Sequence, residues 1–380
     1  MKIPLFKIYT DNNDIKAVSK VIKSGMNWAI GPEVKKFEEQ LAKYIGIKYA
    51  LVFNSGTSAL HALMKAYNFG PKDEIIVPSL TFIATANAPL FVGAKPVFAE
   101  VEEKTFGLDP KKIEEKITKN TKAIMPIHFG GLPCQIKDIQ KIAKKHKLTL
   151  IEDAAQAMGA KIKNQKVGTF GDSAIFSFCA NKIITTGEGG AVVTKNKELY
   201  ERLKLVRSHG RLETTNYFTT TEYMDYIILG YNFRLSNILA TLGISQLKKI
   251  NKIIKMRQKN AVYITKSLMT IKEISCQASL KDCFNVYQLY TLRVKRGKKT
   301  RDSLKNHLNK AGIMAKVYFD PVHLTSFYKK LFGYKKGSLP ITERISDEVL
   351  TLPVYPGLSK KEMDYMIRET KVFFNNYENR

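Results

Sequence analysis

Lys182 lies between two apolar runs, at a position where a lysine could act as a nucleophile. Residues 173–178 alternate small and apolar side chains, and residues 189–193 begin with paired glycines, so both runs are typical of buried strands. A short loop between such strands holds a lysine near the interior, where lost hydration disfavours the charged amine. A neutral amine can form a Schiff base with a carbonyl compound, and the hydroxyl of Ser177 could bind a phosphate. The alternative is an ordinary solvated loop lysine.

A second candidate site is the segment 55–58, of sequence SGTS, which precedes a predicted helix. Gly56 and Thr57 would provide free N–H groups at the positive end of the helix dipole, and both features favour a phosphate. The alternative is a simple N-cap followed by a glycine turn. Phe82 stands at the start of the next predicted helix, where it either contacts a ligand or packs in the core.

Asp153 ends an apolar run and is therefore expected at the carboxyl end of a buried strand. A buried carboxylate needs a partner, and a protonated pyridine nitrogen would serve, since the small Ala154 and Ala155 leave room for a flat ring. A helix N-cap or a metal ligand are the alternatives. Asn232 and Arg234 begin an otherwise apolar helix, where they either belong to a site or form a cap and a surface ion pair.

The elements that must position these residues alternate between strand and helix from residue 49 to residue 152. This alternation predicts an α/β fold with a mainly parallel central sheet covered on both faces, and such sheets bind ligands at the carboxyl ends of their strands. Helices are also predicted over 11–24, 31–45 and 197–207, and one long helix over about 236–268. Strands over 287–294 and 313–317 and helices over 302–311 and 359–375 complete the pattern. We therefore predict a large domain over residues 1–248 and a smaller α+β domain over residues 249–380.

Composition narrows the class of protein. The 380 residues are 44% hydrophobic and 25% charged, which is typical of a globular protein, and no apolar run approaches the roughly 20 residues needed to span a bilayer. The start of the chain has no secretory-signal pattern, and its four cysteines show no paired spacing. These features predict a cytoplasmic protein. The six histidines show no ligand spacing, so no metal is expected.

The net charge of +28 is unusual and would suit a nucleic-acid partner. However, the lysines are spread along the whole chain, and the densest basic runs lack the interleaved aromatic residues of a base-stacking surface. A solvated, lysine-rich surface is the preferred interpretation.

Taken together, these segments resemble the DegT family of nucleotide-sugar aminotransferases, which are fold-type I pyridoxal-phosphate (PLP) enzymes, and within it the GDP-perosamine synthases most. The resemblance spans nearly the whole chain. It is carried by GPEVKKFEEQLAKYIG (31–46), NSGTSALHAL (54–63), VPSLTFIATANA (77–88), IEDAAQAMGA (151–160), GTFGDSAIFSFCANKIITTGEGGAVVT (168–194), GYNFRLSNILATLGISQL (230–247) and SLPITERISDEVLTLPVYP (338–356).

The resemblance implies a role for each candidate residue in binding pyridoxal 5'-phosphate. Lys182 would form the covalent bond, Asp153 would pair with the pyridinium nitrogen, Gln156 would bond the phenolic oxygen and Phe82 would stack on the ring. The phosphate would be held by Gly56, Thr57 and Ser177, together with Asn232 from the partner subunit of a homodimer. Arg234 would lie near that interface, and His323 and His209 stand in loops that either reach substrate or are simply packed. Cys179 departs from the family, because many relatives carry a histidine or an aromatic residue there.

The implied activity is transfer of an amino group from glutamate to the keto group of a nucleotide-linked 4-keto-6-deoxy sugar, with GDP as the expected nucleotide. Four alternatives remain open. A 3-keto sugar could be the substrate, or the protein could be a catalytically silent or regulatory member of the same scaffold. Sugar dehydration, which relatives with histidine in place of the lysine perform, is disfavoured by Lys182. An enzyme acting on amino acids would need a carboxylate-binding arginine, for which Arg344 is the candidate.

Overall fold

The structure is a computed structural model that describes residues 1–212, 220–277 and 280–378. Part of the stretch 211–226, which the sequence suggests as a source of pocket side chains, lies outside the described residues. The helices are α1 (Asn12–Lys23), α2 (Pro32–Ile45), α3 (Gly56–Ala66), α4 (Ile83–Leu90), α5 (Pro110–Glu114), α6 (Ile136–Lys145), α7 (Lys197–Arg207), α8 (Asn237–Lys248), α9 (Ile250–Leu268), α10 (Gly297–Lys310), α11 (Ser326–Phe332), α12 (Pro340–Glu348) and α13 (Lys360–Glu378). The strands are β1 (Tyr49–Phe53), β2 (Glu74–Pro78), β3 (Lys95–Ala99), β4 (Thr121–Ile124), β5 (Thr149–Asp153), β6 (Lys161–Ile162), β7 (Gln165–Lys166), β8 (Ser173–Ser177), β9 (Gly190–Thr194), β10 (Ile274–Cys276), β11 (Cys283–Phe284), β12 (Tyr290–Val294) and β13 (Val349–Leu352).

A seven-stranded sheet forms the centre of the fold, with the strand order β1-β9-β8-β5-β4-β2-β3. Strands β8, β5, β4, β2 and β3 are parallel to one another, whereas β9 runs antiparallel to both of its neighbours. The predicted α/β fold with a mainly parallel sheet is therefore confirmed. Because the parallel strands share one direction, their carboxyl ends meet at one edge of the sheet. Ligands bind at this edge in sheets of this kind.

Helices cover both faces of this sheet. Along β1, Leu51 and Phe53 pack in one core with α3, α4 and α7, while Ala50 and Val52 pack in a second core with α2 and α8. Consecutive strand residues point to opposite faces, so a strand buried on both sides must be apolar throughout. This double burial explains why β1 reads YALVF rather than as an alternating pattern.

A smaller three-stranded sheet, in the order β10-β12-β13, packs with α9, α10 and α13 around a separate core. Ile3 belongs to this core, and its backbone N–H donates to Gly312 O at 2.8 Å. The observed elements are those of an α+β unit, and the boundary between residues 248 and 249 stays a prediction.

Two predicted elements are wrong. The single helix over 236–268 is divided between α8 and α9 at Lys249, whose backbone (φ −108°, ψ 5°) is not helical and whose side chain pairs with Asp11 and Asp14. The strand predicted over 313–317 makes only isolated bridges, at Ile313 and Lys316. The third position in the small sheet is occupied instead by β13, which pairs antiparallel with β12.

Candidate active site

A cavity of about 380 Å³ opens at the carboxyl ends of the parallel strands. Its wall contains every residue that was predicted to hold the cofactor within one chain, namely Gly56, Thr57, Phe82, Asp153, Gln156, Ser177 and Lys182. These residues come from four separate stretches of the chain, at 56–57, 82, 153–156 and 177–182, so their meeting at one cavity follows from the sheet topology.

Lys182 lies in the turn that follows β8, where its backbone N–H donates to Cys179 O at 3.0 Å. Burial lowers the pKa of the Lys182 amine, while interactions with Asp153, Cys179 and Glu188 act in the opposite direction. The amine makes no hydrogen bond or ion pair with any side chain in the described part of the chain. A partly desolvated lysine without a fixed partner is suited to attack a carbonyl carbon.

Asp153 ends β5 and points its carboxylate toward the same cavity. Its Oδ2 accepts a hydrogen bond from Thr85 Oγ1 at 2.7 Å, and its Oδ1 accepts one from the N–H of Ala155 at 3.1 Å. Burial raises the pKa of Asp153, whereas the two hydrogen bonds and the charge of Lys182 act in the opposite direction. A buried carboxylate that is stabilised by donors on one side and open to a cavity on the other can bind a protonated ring nitrogen.

The N-terminus of α3 forms a second wall of the cavity. Ser55 caps this helix by accepting the N–H of Ser58 at 3.0 Å, so the N–H groups of Gly56 and Thr57 remain without partners inside the helix. A Cβ atom on Gly56 would lie 3.2 Å from the Cβ of Ser177, and one on Gly190 would lie 2.5 Å from Ser55 O. The two glycines therefore allow the helix terminus to approach β8 and β9 closely, which produces a cradle suited to a phosphate.

Phe82 and Gln156 complete the set. Phe82 precedes α4 and is 58% exposed, so it lines the cavity rather than packing in the core. The side-chain Oε1 of Gln156 accepts the N–H of Gly130 at 2.7 Å. Because the amide oxygen is engaged, the amide nitrogen of Gln156 is the group that can donate to an oxygen of a ligand.

Three other predicted residues do not line this cavity. Asn232 is exposed, and its backbone oxygen accepts from Asn54 Nδ2 at 3.3 Å. Arg234 donates to Ser208 Oγ at 3.2 Å. His323 is fully buried, with Nδ1 2.7 Å from Ser79 Oγ and Nε2 3.1 Å from Glu343 Oε1, so both ring nitrogens are occupied by protein groups.

His323 is therefore a packed histidine, and the expectation that it could reach a substrate is corrected by its position. His209 is exposed, has a φ of 64° and does not line the cavity. Arg344 lies on the surface and pairs with Glu103, away from the cavity. An amino-acid-binding role for Arg344 at this site has no structural support.

Sequence reasoning missed several residues that line the cavity or support it: Thr85, His128, Asn181, Gln288, Leu289, Lys316, Tyr318 and Phe319. Glu152 was missed as well. It is fully buried next to Asp153, and it accepts the N–H groups of Gly168, Phe170 and Gly171 at 2.7–2.9 Å and lies 3.0 Å from His128 Nε2. The sequence did contain a signal for Glu152, because two adjacent acids end the apolar strand β5. Consecutive strand residues point to opposite faces, so if Asp153 faces the cavity, Glu152 must point away from it.

The chemistry of these donor groups fits PLP. PLP carries a phosphate, an aldehyde, a ring nitrogen and a phenolic oxygen. The N-terminus of α3 suits the phosphate and the Lys182 amine suits the aldehyde. The Asp153 carboxylate suits the ring nitrogen, and the Gln156 amide N–H suits the phenolic oxygen. Fold and site together define a PLP-dependent aminotransferase.

Comparison with known proteins identifies the family. The DegT/DnrJ/EryC1/StrS aminotransferase family profile matches residues 9–371, and the chain belongs to this family. The protein is thus a sugar aminotransferase that uses PLP.

Individual relatives cover nearly the whole chain. The GDP-perosamine synthase of Caulobacter vibrioides is 35% identical over 359 residues, which are 94% of each chain. The UDP-4-amino-4,6-dideoxy-N-acetyl-beta-L-altrosamine transaminase of Campylobacter jejuni is 36% identical over 366 residues, covering 94% of this chain and 93% of that one. Among solved structures, Helicobacter pylori PseC, an aminotransferase involved in the biosynthesis of pseudoaminic acid, superimposes with a TM-score of 0.93 and 32% identity, covering 99% of this chain and 100% of that one.

Two further properties concern the described residues only. None of their helices is both long enough and apolar enough to cross a bilayer. No group of three or more His, Cys, Asp or Glu side chains within residues 1–212, 220–277 and 280–378 is placed to hold a metal ion.

Proposed function

We propose that this enzyme transfers an amino group from glutamate to the 4-keto group of a nucleotide-linked 4-keto-6-deoxy sugar, as a GDP-perosamine synthase does, in a cytoplasmic homodimer with shared active sites. The observation that carries the proposal is the placement of Lys182 and Asp153 on one cavity, beside a helix N-terminus able to hold a phosphate. The relatives support a sugar as the acceptor, and the name of the Campylobacter enzyme specifies a 4-amino-4,6-dideoxy sugar. A 3-keto sugar is the alternative acceptor.

The geometry of the cavity supports a set of residues as ligands of the cofactor, and the family resemblance adds Asn232 of the partner subunit. The N–H groups of Gly56 and Thr57 and the hydroxyl of Ser177 would bind its phosphate, and Asn232 of the partner subunit would join them. Phe82, exposed to the cavity, would cover one face of the ring. When bound, PLP supplies an electrophilic carbon and an electron sink.

Asp153 and Gln156 would keep the ring in its reactive form. The Asp153 carboxylate, stabilised by Thr85 at 2.7 Å, would hold a proton on the ring nitrogen, and the Gln156 amide N–H would donate to the phenolic oxygen. Lys182 would then act as both base and acid. Its amine, whose pKa is lowered by burial, would take a proton from the α-carbon of glutamate and later deliver a proton to the sugar carbon that bears the new amine.

The cavity also places cationic and aromatic groups at its rim. Lys316 is exposed, and its amine lies 5.1 Å from the ring centre of Tyr318, next to Phe319. A cation beside an aromatic surface is compatible with an anionic nucleotide that carries a stackable base. This arrangement favours a nucleotide-linked acceptor over a small free keto acid.

A two-stage experiment tests the proposal. The purified protein with added PLP should show an absorbance band near the visible edge, and glutamate should shift that band to shorter wavelength. GDP-linked and UDP-linked 4-keto-6-deoxy sugars, and a 3-keto sugar, should then be compared by mass spectrometry of the amino-sugar product. Lys182→Ala is the control, and it should lose the band and at least a thousandfold in turnover. A band that no amino donor shifts would overturn the transaminase proposal, and product from the 3-keto sugar alone would overturn the 4-keto assignment.

The same experiment separates the silent or regulatory alternative from the enzyme. A silent protein would bind PLP without responding to glutamate or to any keto sugar. Response to glutamate combined with failure of every keto sugar would instead point to a different acceptor at the same catalytic site.

A further inference from the structure

The side chain of Gln288 carries an oxygen that has no hydrogen-bond donor among the described residues. Gln288 lies between β11 and β12, is 4% exposed and lines the large cavity. Its Nε2 donates to Asn181 O at 2.9 Å, whereas its Oε1 is buried without a partner. Buried acceptors in folded proteins are nearly always paired. An unpaired acceptor on a residue of the cavity wall therefore indicates a donor that arrives with a ligand.

The hydrogen bond to Asn181 determines which end of the Gln288 amide is the nitrogen. A backbone carbonyl oxygen can only accept, so the group that faces Asn181 O must be the NH₂ group. Rotating the amide by half a turn would place two acceptors against each other. The oxygen is therefore the end that stays unpaired, and it can pair only with an N–H or O–H group.

The backbone around Gln288 is held in place from two sides. Arg257, which lies on α9, donates through Nη1 to Gln288 O at 3.3 Å. The N–H of the next residue, Leu289, donates to Gly130 O at 3.1 Å, and the N–H of Gly130 donates to Gln156 Oε1 at 2.7 Å. Gln288 is thus anchored to the loop that also holds Gln156, and a binding group needs this kind of fixed support.

The groups expected in the cavity narrow the identity of the missing donor. Glutamate brings two carboxylates, and PLP brings a phosphate and a phenolic oxygen, all of which accept hydrogen bonds. The amino group of glutamate is directed at the cofactor, and the ring nitrogen of PLP is directed at Asp153. The hydroxyl groups of a sugar can donate. The sugar must also approach Lys182, whose neighbour in sequence, Asn181, is bonded to Gln288.

We propose that Gln288 is a substrate-contacting residue whose Oε1 accepts a hydrogen bond from a hydroxyl group of the sugar acceptor. The inference rests on the proposed function, because it takes a keto sugar as the acceptor. It extends that function by assigning part of the recognition of the sugar to the segment between β11 and β12. A site that leaves a buried acceptor unpaired discriminates against ligands that lack the matching donor, such as a small keto acid.

The test measures the two half-reactions separately. The absorbance change with glutamate reports the first, and the reverse change with the GDP-linked or UDP-linked 4-keto-6-deoxy sugar that the wild-type protein accepts reports the second. Gln288→Met replaces the amide with a flexible thioether of similar length. Gln258→Met is the matched control, because Gln258 Nε2 also donates to a backbone oxygen, that of Asn285 at 2.8 Å, but Gln258 does not line the cavity. Circular dichroism verifies the fold of each variant.

We expect Gln288→Met to raise the apparent dissociation constant for the sugar about tenfold and to change the rate with glutamate less than about twofold. Gln258→Met should leave both values unchanged. Two analogues of the sugar, one without the hydroxyl at carbon 2 and one without the hydroxyl at carbon 3, identify the donor. One of them should bind the wild-type protein about tenfold more weakly than the complete sugar, and should bind Gln288→Met as well as the complete sugar does.

An unchanged dissociation constant for the sugar in folded Gln288→Met would overturn the proposal. Equal losses in both half-reactions would do so too, because Gln288 would then act through the Lys182 turn. If Gln288→Met does not fold, the analogues still decide, since equal binding of both analogues and the complete sugar to the wild-type protein would exclude the hydrogen bond. Failure of the proposed function appears earlier, as a wild-type protein that does not respond to glutamate or to any keto sugar.

Discussion

Thr85 Oγ1 donates a hydrogen bond of 2.7 Å to Oδ2 of Asp153, and this bond joins α4 to the carboxyl end of β5. The Thr85 hydroxyl is itself 2.7 Å from Thr81 Oγ1, and since it donates to Asp153 it accepts from Thr81. The carboxylate is thus held by a chain of two buried hydroxyl groups, in a place where burial alone would favour its protonated form.

Thr85→Val should raise the pKa of Asp153 further and lower activity at neutral pH about tenfold, because a buried carboxylate loses a donor worth about 1–2 kcal/mol. The acid limb of the profile of kcat/KM against pH should move to higher pH. Thr85→Ser, which retains the hydroxyl, should keep the wild-type profile. An unmoved acid limb in Thr85→Val would show that the hydroxyl does not control Asp153.

Glu152→Gln should destabilise the protein by about 2 kcal/mol, because the new NH₂ group would face backbone N–H donors where a carboxylate oxygen now accepts them. The loss should appear as a lower midpoint of thermal or denaturant unfolding. Glu115→Gln is the matched control, since Glu115 forms an exposed pair with Lys112 and its replacement should cost less than about 0.5 kcal/mol. Equal midpoints for the two variants would contradict a structural role for Glu152.

The pKa of His323 is lowered by burial, although Glu343 acts in the opposite direction. Below the ordinary pKa of 6.5 the unfolded chain binds a proton at this residue more readily than the folded chain does, so the free energy of unfolding should fall as pH falls from 7 to 5. His323→Asn, which can still accept from Ser79, should reduce the slope over this pH window. Denaturant titrations at several pH values measure it, and an unchanged slope would assign the dependence to other groups.

Leu229→Glu should dissociate the proposed homodimer and abolish activity. Leu229 is 67% exposed and ends a run of exposed apolar residues, Tyr226–Leu229, which is close in sequence to Asn232. Exposed apolar patches of this kind are typical of protein interfaces. Light scattering after gel filtration measures the mass, and Leu331→Glu, which is also exposed but lies on α11, should leave it unchanged. A dimeric Leu229→Glu protein would place the interface elsewhere.

The central sheet could be predicted because its strands appear in the sequence as short apolar runs bounded by turn residues. The run at 173–178 and the glycines at 189–190 predicted the two strands that flank Lys182, and the structure places β8 and β9 there. Asp153 and Gly56, which lie at the end of a strand and the start of a helix, could be predicted in the same way. The position of such a terminus follows from the residue at which the apolar pattern of the strand or helix begins or ends.

What could not be predicted depends on contacts between distant segments. Whether Phe82 faces a cavity or the core, and whether His323 reaches a ligand or packs, cannot be decided from neighbours in sequence. The break at Lys249 is stabilised by Asp11 and Asp14, more than 230 residues away. The short pattern at 313–317 has strand-like composition, but among the described residues it finds no continuous partner strand, whereas β13 pairs with β12.

The pairing of Ile3 with the segment around Gly312 constrains the order in which the two parts of the chain can fold during synthesis. The Ile3 N–H donates to Gly312 O, and the N–H of Met314 donates to Ile3 O at 2.9 Å. On the ribosome, Ile3 emerges long before these partners exist, while the strands of the central sheet can already assemble. The Ile3 segment must therefore wait until about 310 further residues have been synthesised, and its docking completes the smaller core late in translation.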